Sequence, residues 1–367
     1  MIELKELTKR YSQTGAPAVN RLSLTVGDGE VAVIIGPSGC GKTTTLRMIN
    51  RLIEPSSGQI LIDGACIGNR SPEDLRRSIG YAIQSVGLFP HMTVAGNIAV
   101  VPELLGWDKT RIGVRVNELL QLVGLNPKIY AAKYPHQLSG GEAQRIGVAR
   151  ALAADPPILL MDEPFGAVDP LTRERLQGQF LDIQRQLKKT VILVTHDLDE
   201  AIRLADRIAI MRFGELVQYD TPEAVLRHPV DKFVHDFVGS DRSLKRLSRI
   251  NIKSFIHPAP SIAIDASAEE TAEACRSCRW VWVTSADGKL LGWLDRTMIK
   301  PGVTPAEAVE KVAPEELAIV DNGTLREGLS RMLSQGVKNL PVIDQRNRLL
   351  GEIRMSDIEK ATAESEA

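Results

Sequence analysis

The chain has 367 residues, 43% hydrophobic and 25% charged, which is the composition of a soluble globular protein long enough for two or three domains. A formal net charge of −1 excludes any overall electrostatic pull toward nucleic acid. The N-terminus lacks a basic segment followed by an apolar one, and no apolar run approaches 18 residues, so a cytoplasmic chain that neither is secreted nor spans a bilayer is expected. The four cysteines, Cys40, Cys66, Cys275 and Cys278, supply one isolated C-x-x-C and no second pair at zinc-ligand spacing, which argues against a structural zinc site.

In chain order, the first thirty residues alternate polar and apolar and predict strands at the edge of a sheet, with Tyr11 an aromatic on an otherwise polar segment. That ring suits either packing or stacking on a flat base. Residues 31–35, Val-Ala-Val-Ile-Ile, read as a buried strand, and 44–52 carry apolar residues at helical spacing. Between them lies Gly36-Pro37-Ser38-Gly39-Cys40-Gly41-Lys42-Thr43, followed by Thr44, which fits G-x-x-x-x-G-K-[ST] at every fixed position. Strand, glycine-rich loop and helix are the parts of a phosphate cradle. Glycines let backbone N–H groups turn inward, the helix N-terminus adds positive partial charge, Lys42 reaches the terminal phosphates, and the Thr43 hydroxyl suits Mg²⁺. Residues 54–58 then predict a turn, 59–63 a strand, 71–73 a helix start, and 80–84 a strand ending on Gln84. Residues 85–97 lack periodicity and read as a loop.

The spacing Ile112, Val116, Leu119, Leu120, Val123 predicts an amphipathic helix over 110–123 within a helical insertion at about 85–155. The insertion ends at Leu138-Ser139-Gly140-Gly141-Glu142, a second glycine-rich helix start and hence a second candidate phosphate site. The apolar run 158–161 ends on Asp162-Glu163, which is how a buried parallel strand delivers carboxylates to its C-terminal edge. One acid there would hold Mg²⁺ and its neighbour would take a proton from attacking water. The strand 190–194 ends on Thr195-His196-Asp197, bringing an imidazole to the same edge. A strand at 207–211, a hairpin around Gly214 and helices begun near Thr221 and Asp231 complete this part. If 241–250 is helical, Arg242, Lys245, Arg246 and Arg249 share one face, a solvated linker or a contact for anionic lipid. Beyond it, strand, helix, strand, strand occurs twice, at 262–294 and 319–353, a tandem repeat.

With these motifs in this order, the first 240 residues resemble the ATPase subunit of ABC transporters. The resemblance implies an α/β P-loop ABC ATPase core with a helical subdomain over 1–240, a linker at 241–251, and a smaller α/β tandem CBS module over 252–367. It makes Gly36 to Thr43 the Walker A loop, Gln84 the Q-loop glutamine that helps hold Mg²⁺, Ser139 to Gly141 the signature, Asp162 and Glu163 the Walker B pair, Asp169 part of the D-loop, His196 the switch histidine, and Tyr11 the adenine-stacking aromatic. Glu142 stands where the family usually has Gln. ATP and Mg²⁺ are the implied cofactors, with Lys42, Gln84, Glu163 and His196 catalytic. The implied partners are a second copy of the chain, integral membrane permease subunits that dock on the Gln84 to His91 loop, and a separate substrate-binding protein, with no nucleic acid. The implied location is the cytoplasmic face of the inner membrane. The segments 48–55 and 81–91 are similar to those of importers of quaternary amines such as glycine betaine, choline or carnitine; other small-solute importers and soluble non-transport ABC ATPases are the alternatives. Arg354 and Met298 depart from the CBS pattern, so the module is expected to regulate or dimerise rather than bind a nucleotide.

Overall fold

The computed structural model describes residues 1–12, 14–83, 87–166, 169–297, 299, 302–311 and 313–363. Gln84 and Met298 therefore lie outside the described residues. The chain divides into two compact units, Met1–Val238 and Gly239–Ala367.

The first unit contains β1 (Ile2–Lys9), β2 (Val19–Val26), β3 (Val31–Ile35), β4 (Ser57–Ile62), β5 (Ala65–Cys66), β6 (Ile79–Ala82), β7 (Ile158–Asp162), β8 (Thr190–Thr195), β9 (Arg207–Arg212) and β10 (Glu215–Asp220). A six-stranded sheet runs β10-β9-β3-β8-β7-β6. It is parallel from β9 to β6, with β10 antiparallel at one edge. Every residue of β3, β7 and β8 is buried, which explains their unbroken apolar runs: a parallel strand covered on both faces has no reason to alternate. The two faces feed separate cores. Val31, Val33, Ile35, Met161, Val191 and Leu193 pack with the helices of the 94–204 region. Ala32, Ile34, Leu160, Ile192 and Val194 pack instead with Leu46, Met48 and Ile49 and with the antiparallel sheet β2-β1-β4-β5. In that second sheet β1 is an interior strand, not the edge expected from its alternation; β4 returns to cover it.

The aperiodic run 85–97 hides a helix, Val94–Leu104, whose start is capped by Thr93 accepting from Gly96 N. Its buried residues Val94, Asn97, Ile98, Ala99 and Pro102 do not form a clean stripe, because Asn97 turns inward to bond the preceding loop.

The second unit contains β11 (Ser261–Ala263), β12 (Trp280–Thr284), β13 (Leu290–Asp295), β14 (Glu310–Lys311), β15 (Ile319–Val320), β16 (Asn339–Ile343) and β17 (Leu349–Arg354). The internal repeat is visible in the register. β11 pairs in parallel with β12, and β15 with β16; β12 and β16 each continue into an antiparallel hairpin, with β13 and β17. Val283 faces Gly292 in one hairpin and Val342 faces Gly351 in the other, each followed by a register shift. Both glycines sit under a carbonyl that leaves no room for a side chain: a Cβ would lie 2.0 Å from Glu310 O at Gly292 and 2.3 Å from His257 O at Gly351. The stretch 241–251 is not a free-standing linker. Its helix Arg242–Leu247 belongs to this unit: Leu247 joins a core with Ile252, Leu325 and Leu340, and Arg246 is buried with its guanidinium donating to Ala361 O at 2.7 Å. Lys245 pairs with Asp241 at 2.8 Å. The four cations therefore do not form the shared solvated face that the spacing predicts.

Candidate nucleotide site

The phosphate loop is shaped by glycine where it must be. Gly41 caps the helix Lys42–Ile49 with φ +104°, and a Cβ there would meet Ala18 O at 2.3 Å. At Gly36 a Cβ would meet Met211 O at 2.1 Å. Any other residue would push the loop off β3 and β9. Pro37, Ser38 and Gly39 form the exposed crest, while Cys40 is buried beneath it. Burial pushes the Cys40 thiol up, away from the reactive thiolate. Lys42 is 7% exposed, and its ammonium donates to Gly36 O at 2.7 Å and Pro37 O at 3.1 Å, so a fixed cation stands inside the ring of loop amides. Thr43 and Thr44 are half-buried on the first turn.

Parallel pairing aligns the ends of β3, β7 and β8, with Ile35 opposite Thr195 and Asp162 opposite Val194. This brings five of the expected residues to one edge. Thr43 Oγ1 donates to Asp162 Oδ1 at 3.1 Å. Asp162 is buried, and desolvation raises its pKa, only partly offset by the Thr43 hydroxyl. A hydroxyl and a desolvated carboxylate, both hard oxygen donors beside a phosphate loop, suit Mg²⁺, which takes few protein ligands and completes its shell with phosphate and water. Among the described residues no cluster of three or more His, Cys, Asp or Glu competes as a metal site. Glu163 follows in the left-handed region, φ +46°, its N–H tied to Val194 O at 2.9 Å. That turn swings its carboxylate to His196, whose Nδ1 lies 3.0 Å from Glu163 Oε1. The pair is partly open, with Glu163 20% and His196 64% exposed at the side chain.

Other expected residues stand apart. Ser139 caps the helix Gly140–Leu152, and Glu142 closes a capping box with it: Ser139 N donates to Glu142 Oε2 at 2.8 Å and Glu142 N to Ser139 Oγ at 3.3 Å. Glu142 also accepts from the Tyr130 hydroxyl at 2.6 Å, the main reason its pKa is lowered. Glu142 thus serves the architecture of the helix start. Among the described residues no hydrogen bond joins Ser139, Gly140 or Gly141 to the phosphate loop. Asp169 caps the helix Pro170–Leu187, accepting from Thr172 N at 3.1 Å. Tyr11 is 65% exposed, with Lys9 Nζ 5.4 Å from its ring centroid, so its face is not packed into the core.

Four further residues brace these parts, and the sequence reading missed them. Gln144, 5% exposed, sits on the helix begun by Ser139 and donates its amide to Pro164 O, beside Glu163. Arg150 donates to Gly87 O and lies over Phe89, while Asn97 bonds both N and O of Phe89, fixing the 87–93 loop. Glu200, 4% exposed, accepts from Thr195 Oγ1 at 2.7 Å. The signal for Glu200 was its place beside Ala201 and four residues before Leu204, on the buried face of the helix Leu198–Leu204.

A phosphate loop, a Thr–Asp oxygen pair and a carboxylate–imidazole pair on one parallel sheet edge define a P-loop nucleotide hydrolase. A family model described as ABC transporter matches residues 19–166, and one described as CBS domain matches 307–364. The chain is 45% identical over 363 residues to the glycine betaine/carnitine/choline transport ATP-binding protein OpuCA of Bacillus subtilis, covering 98% of this chain and 95% of that one. It is 46% identical over 364 residues to the choline transport ATP-binding protein OpuBA of the same organism, with 98% and 95% covered. The osmoprotectant import ATP-binding protein OsmV of Salmonella typhimurium is 47% identical over 367 residues, with 96% and 94% covered. Among solved structures, a dimeric bacterial ABC transporter cassette, MJ0796, is similar at TM-score 0.55 and 34% identity over 60% of this chain and 99% of that one. The same cassette as a dimer in a post-hydrolysis state with ADP and Pi matches at 0.55 and 32%, with the same coverage. The chain belongs to the ATP-binding subunits of ABC transporters. It is an ATPase of that family with a C-terminal CBS domain.

Proposed function

We propose that this chain energises import of a quaternary amine osmoprotectant, such as glycine betaine, choline or carnitine, through a separate integral membrane permease fed by a substrate-binding protein. The relatives whose names state those solutes match nearly the whole length of the chain, tail included, which favours them over other small-solute importers and over non-transport ABC ATPases. No helix among the described residues is long and apolar enough to cross a membrane, in keeping with a peripheral subunit on the cytoplasmic face of the inner membrane.

The observation that carries the catalytic reading is the meeting of Thr43 with Asp162 and of Glu163 with His196 at the ends of neighbouring parallel strands. The loop amides and Lys42 stabilise charge on the transferring phosphoryl group. Thr43 and Asp162, with Gln84 as the resemblance implies, would hold Mg²⁺, whose charge would offset that of the phosphates. Glu163 polarises the attacking water, and His196 orients Glu163 and the γ-phosphate. Tyr11 offers its open face to adenine. Ser139, Gly140 and Gly141 stand on their own helix start without a bond to this loop, so they act on the nucleotide held by a second copy, in a two-fold dimer that buries two ATP molecules with Asp169 at the seam. Residues 1–240 carry this work. Residues 252–367 form a tandem CBS-type regulatory module.

The test is ATP-driven uptake in vesicles carrying the permease and this subunit, fed with glycine betaine, choline, carnitine or an uncharged solute. Uptake of a quaternary amine alone supports the reading; uptake of none of the three, with ATP hydrolysis intact, overturns the substrate assignment.

A further inference from the structure

Glu200 has no role in the reading above, yet its surroundings are unusual. It is 4% exposed, on a helix packed against β3 and β8, strands that bring only apolar and threonine side chains. Its Oε2 accepts from Thr195 Oγ1 at 2.7 Å, while Oε1 is buried without a hydrogen-bond partner among the described residues. The same Thr195 hydroxyl accepts from Asp197 N at 3.0 Å, and Asp197 Oδ1 in turn accepts from Glu200 N at 3.1 Å. The three bonds close a ring around one residue, His196. The charged groups that face Glu200 are Asp197 and His196 from the turn itself and Arg173, which reaches in from the helix Pro170–Leu187 to pair with Asp197 at 3.2 Å. A glutamine of the same shape would accept the Thr195 bond without desolvating a charge, so the carboxylate is a costly choice at this position.

We propose that Glu200 is the positioning residue of His196: its carboxylate orients the Thr195 hydroxyl, which fixes the Thr195–Asp197 backbone and aims the imidazole at Glu163 and the γ-phosphate. The inference rests on the reading of His196 as a group that acts in ATP hydrolysis. The ionised carboxylate accepts the Thr195 proton and leaves the hydroxyl's lone pairs for Asp197 N. A proton on Oε2 would donate to Thr195 and turn its hydroxyl around, and a proton on Oε1 would be a buried donor with no acceptor among the described residues, so the neutral carboxyl holds the ring less firmly than the carboxylate. Burial pushes this carboxyl up to about 7. Hydrolysis therefore falls as Glu200 takes up a proton across neutral pH.

The experiment is steady-state ATP hydrolysis by the full chain with Mg²⁺, from pH 6 to pH 8.5, comparing the parent with Glu200→Gln, Thr195→Ser and Thr195→Val. Every other titrating group, ATP included, is shared, so the ratio of parental to Glu200→Gln kcat isolates the carboxyl. That ratio is expected to fall about tenfold between pH 8 and pH 6, as one group with its midpoint near 7 goes from largely ionised to largely protonated. Thr195→Ser, which keeps the hydroxyl, retains the parental profile; Thr195→Val loses the limb and lowers kcat with little change in KM for ATP. A ratio constant across pH overturns the proposal, as does a parental profile in Thr195→Val. Should Glu200→Gln fail to fold, the two Thr195 variants decide alone. His196→Ala separates the two levels: parental hydrolysis in that variant removes the role of His196, whatever the Glu200 ratio does.

Discussion

Replacing Glu200 by Gln is expected to stabilise the 1–238 unit, and by more at alkaline than at acid pH. The carboxyl ionises at about 7 in the folded chain against an ordinary 4.5, chiefly because burial strips its charge of water. The folded state thus holds this proton more tightly than the unfolded state does. The stability tied to it is complete below the unfolded pKa and is lost as pH rises through the folded one. With about 1.4 kcal/mol per pKa unit, ionisation costs about 1 kcal/mol at pH 5.5 and about 3 kcal/mol at pH 8.5 relative to a neutral isostere. The difference, ~2 kcal/mol, is what the substitution should return between those pH values. Amide hydrogen exchange of β8 in urea reads it, because that strand lies in the core of the ATPase unit and reports nothing of the C-terminal one. Equal stabilisation at the two pH values would refute the reasoning, and destabilisation at pH 8.5 would mean that the carboxylate is paired more fully than its hydrogen bonds indicate.

Ser139→Arg should leave ATP affinity of the monomer within about threefold while abolishing hydrolysis if, as proposed, the second phosphate site acts only on a partner's nucleotide; equilibrium binding of a fluorescent ATP analogue and phosphate release together check this. Gly36→Ala should prevent ATP binding, since its Cβ would lie 2.1 Å from Met211 O and must displace the loop; calorimetric titration with ATP measures it. Cutting the chain after Val238 should spare basal hydrolysis, because every proposed catalytic side chain lies in the compact unit Met1–Val238; a phosphate-release assay of residues 1–238 against the full chain decides.

The sequence made the nucleotide core legible because its signals are local. The phosphate loop needs glycine at fixed positions, and buried parallel strands need unbroken apolar runs, so Lys42, Thr43, Asp162, Glu163 and His196 could be placed before any contact was known. The capping box of Ser139 and Glu142 was equally local, although Glu142 read as a departure in a phosphate motif rather than as a cap. What escaped depends on distant partners. Asn97 broke the helical stripe of Val94–Leu104 because it serves the loop before it. Arg246 looked like a solvated cation, yet the carbonyl that buries it comes from Ala361. Glu200 was not singled out in the sequence; only the packing of its helix on β3 and β8 takes it out of water. The tandem repeat was readable from element order, and the shared glycine beneath each hairpin, Gly292 and Gly351, gives its physical reason.

ATP turnover by the full chain carrying Glu163→Gln, followed together with its mass in solution, tests the central claim that Glu163 activates water at an ATP enclosed between two copies. Turnover should fall by roughly 10²–10⁴, the usual weight of a general base, while dimers accumulate when ATP is added. Hydrolysis at the parental rate, or a chain that stays monomeric with ATP bound, would contradict it.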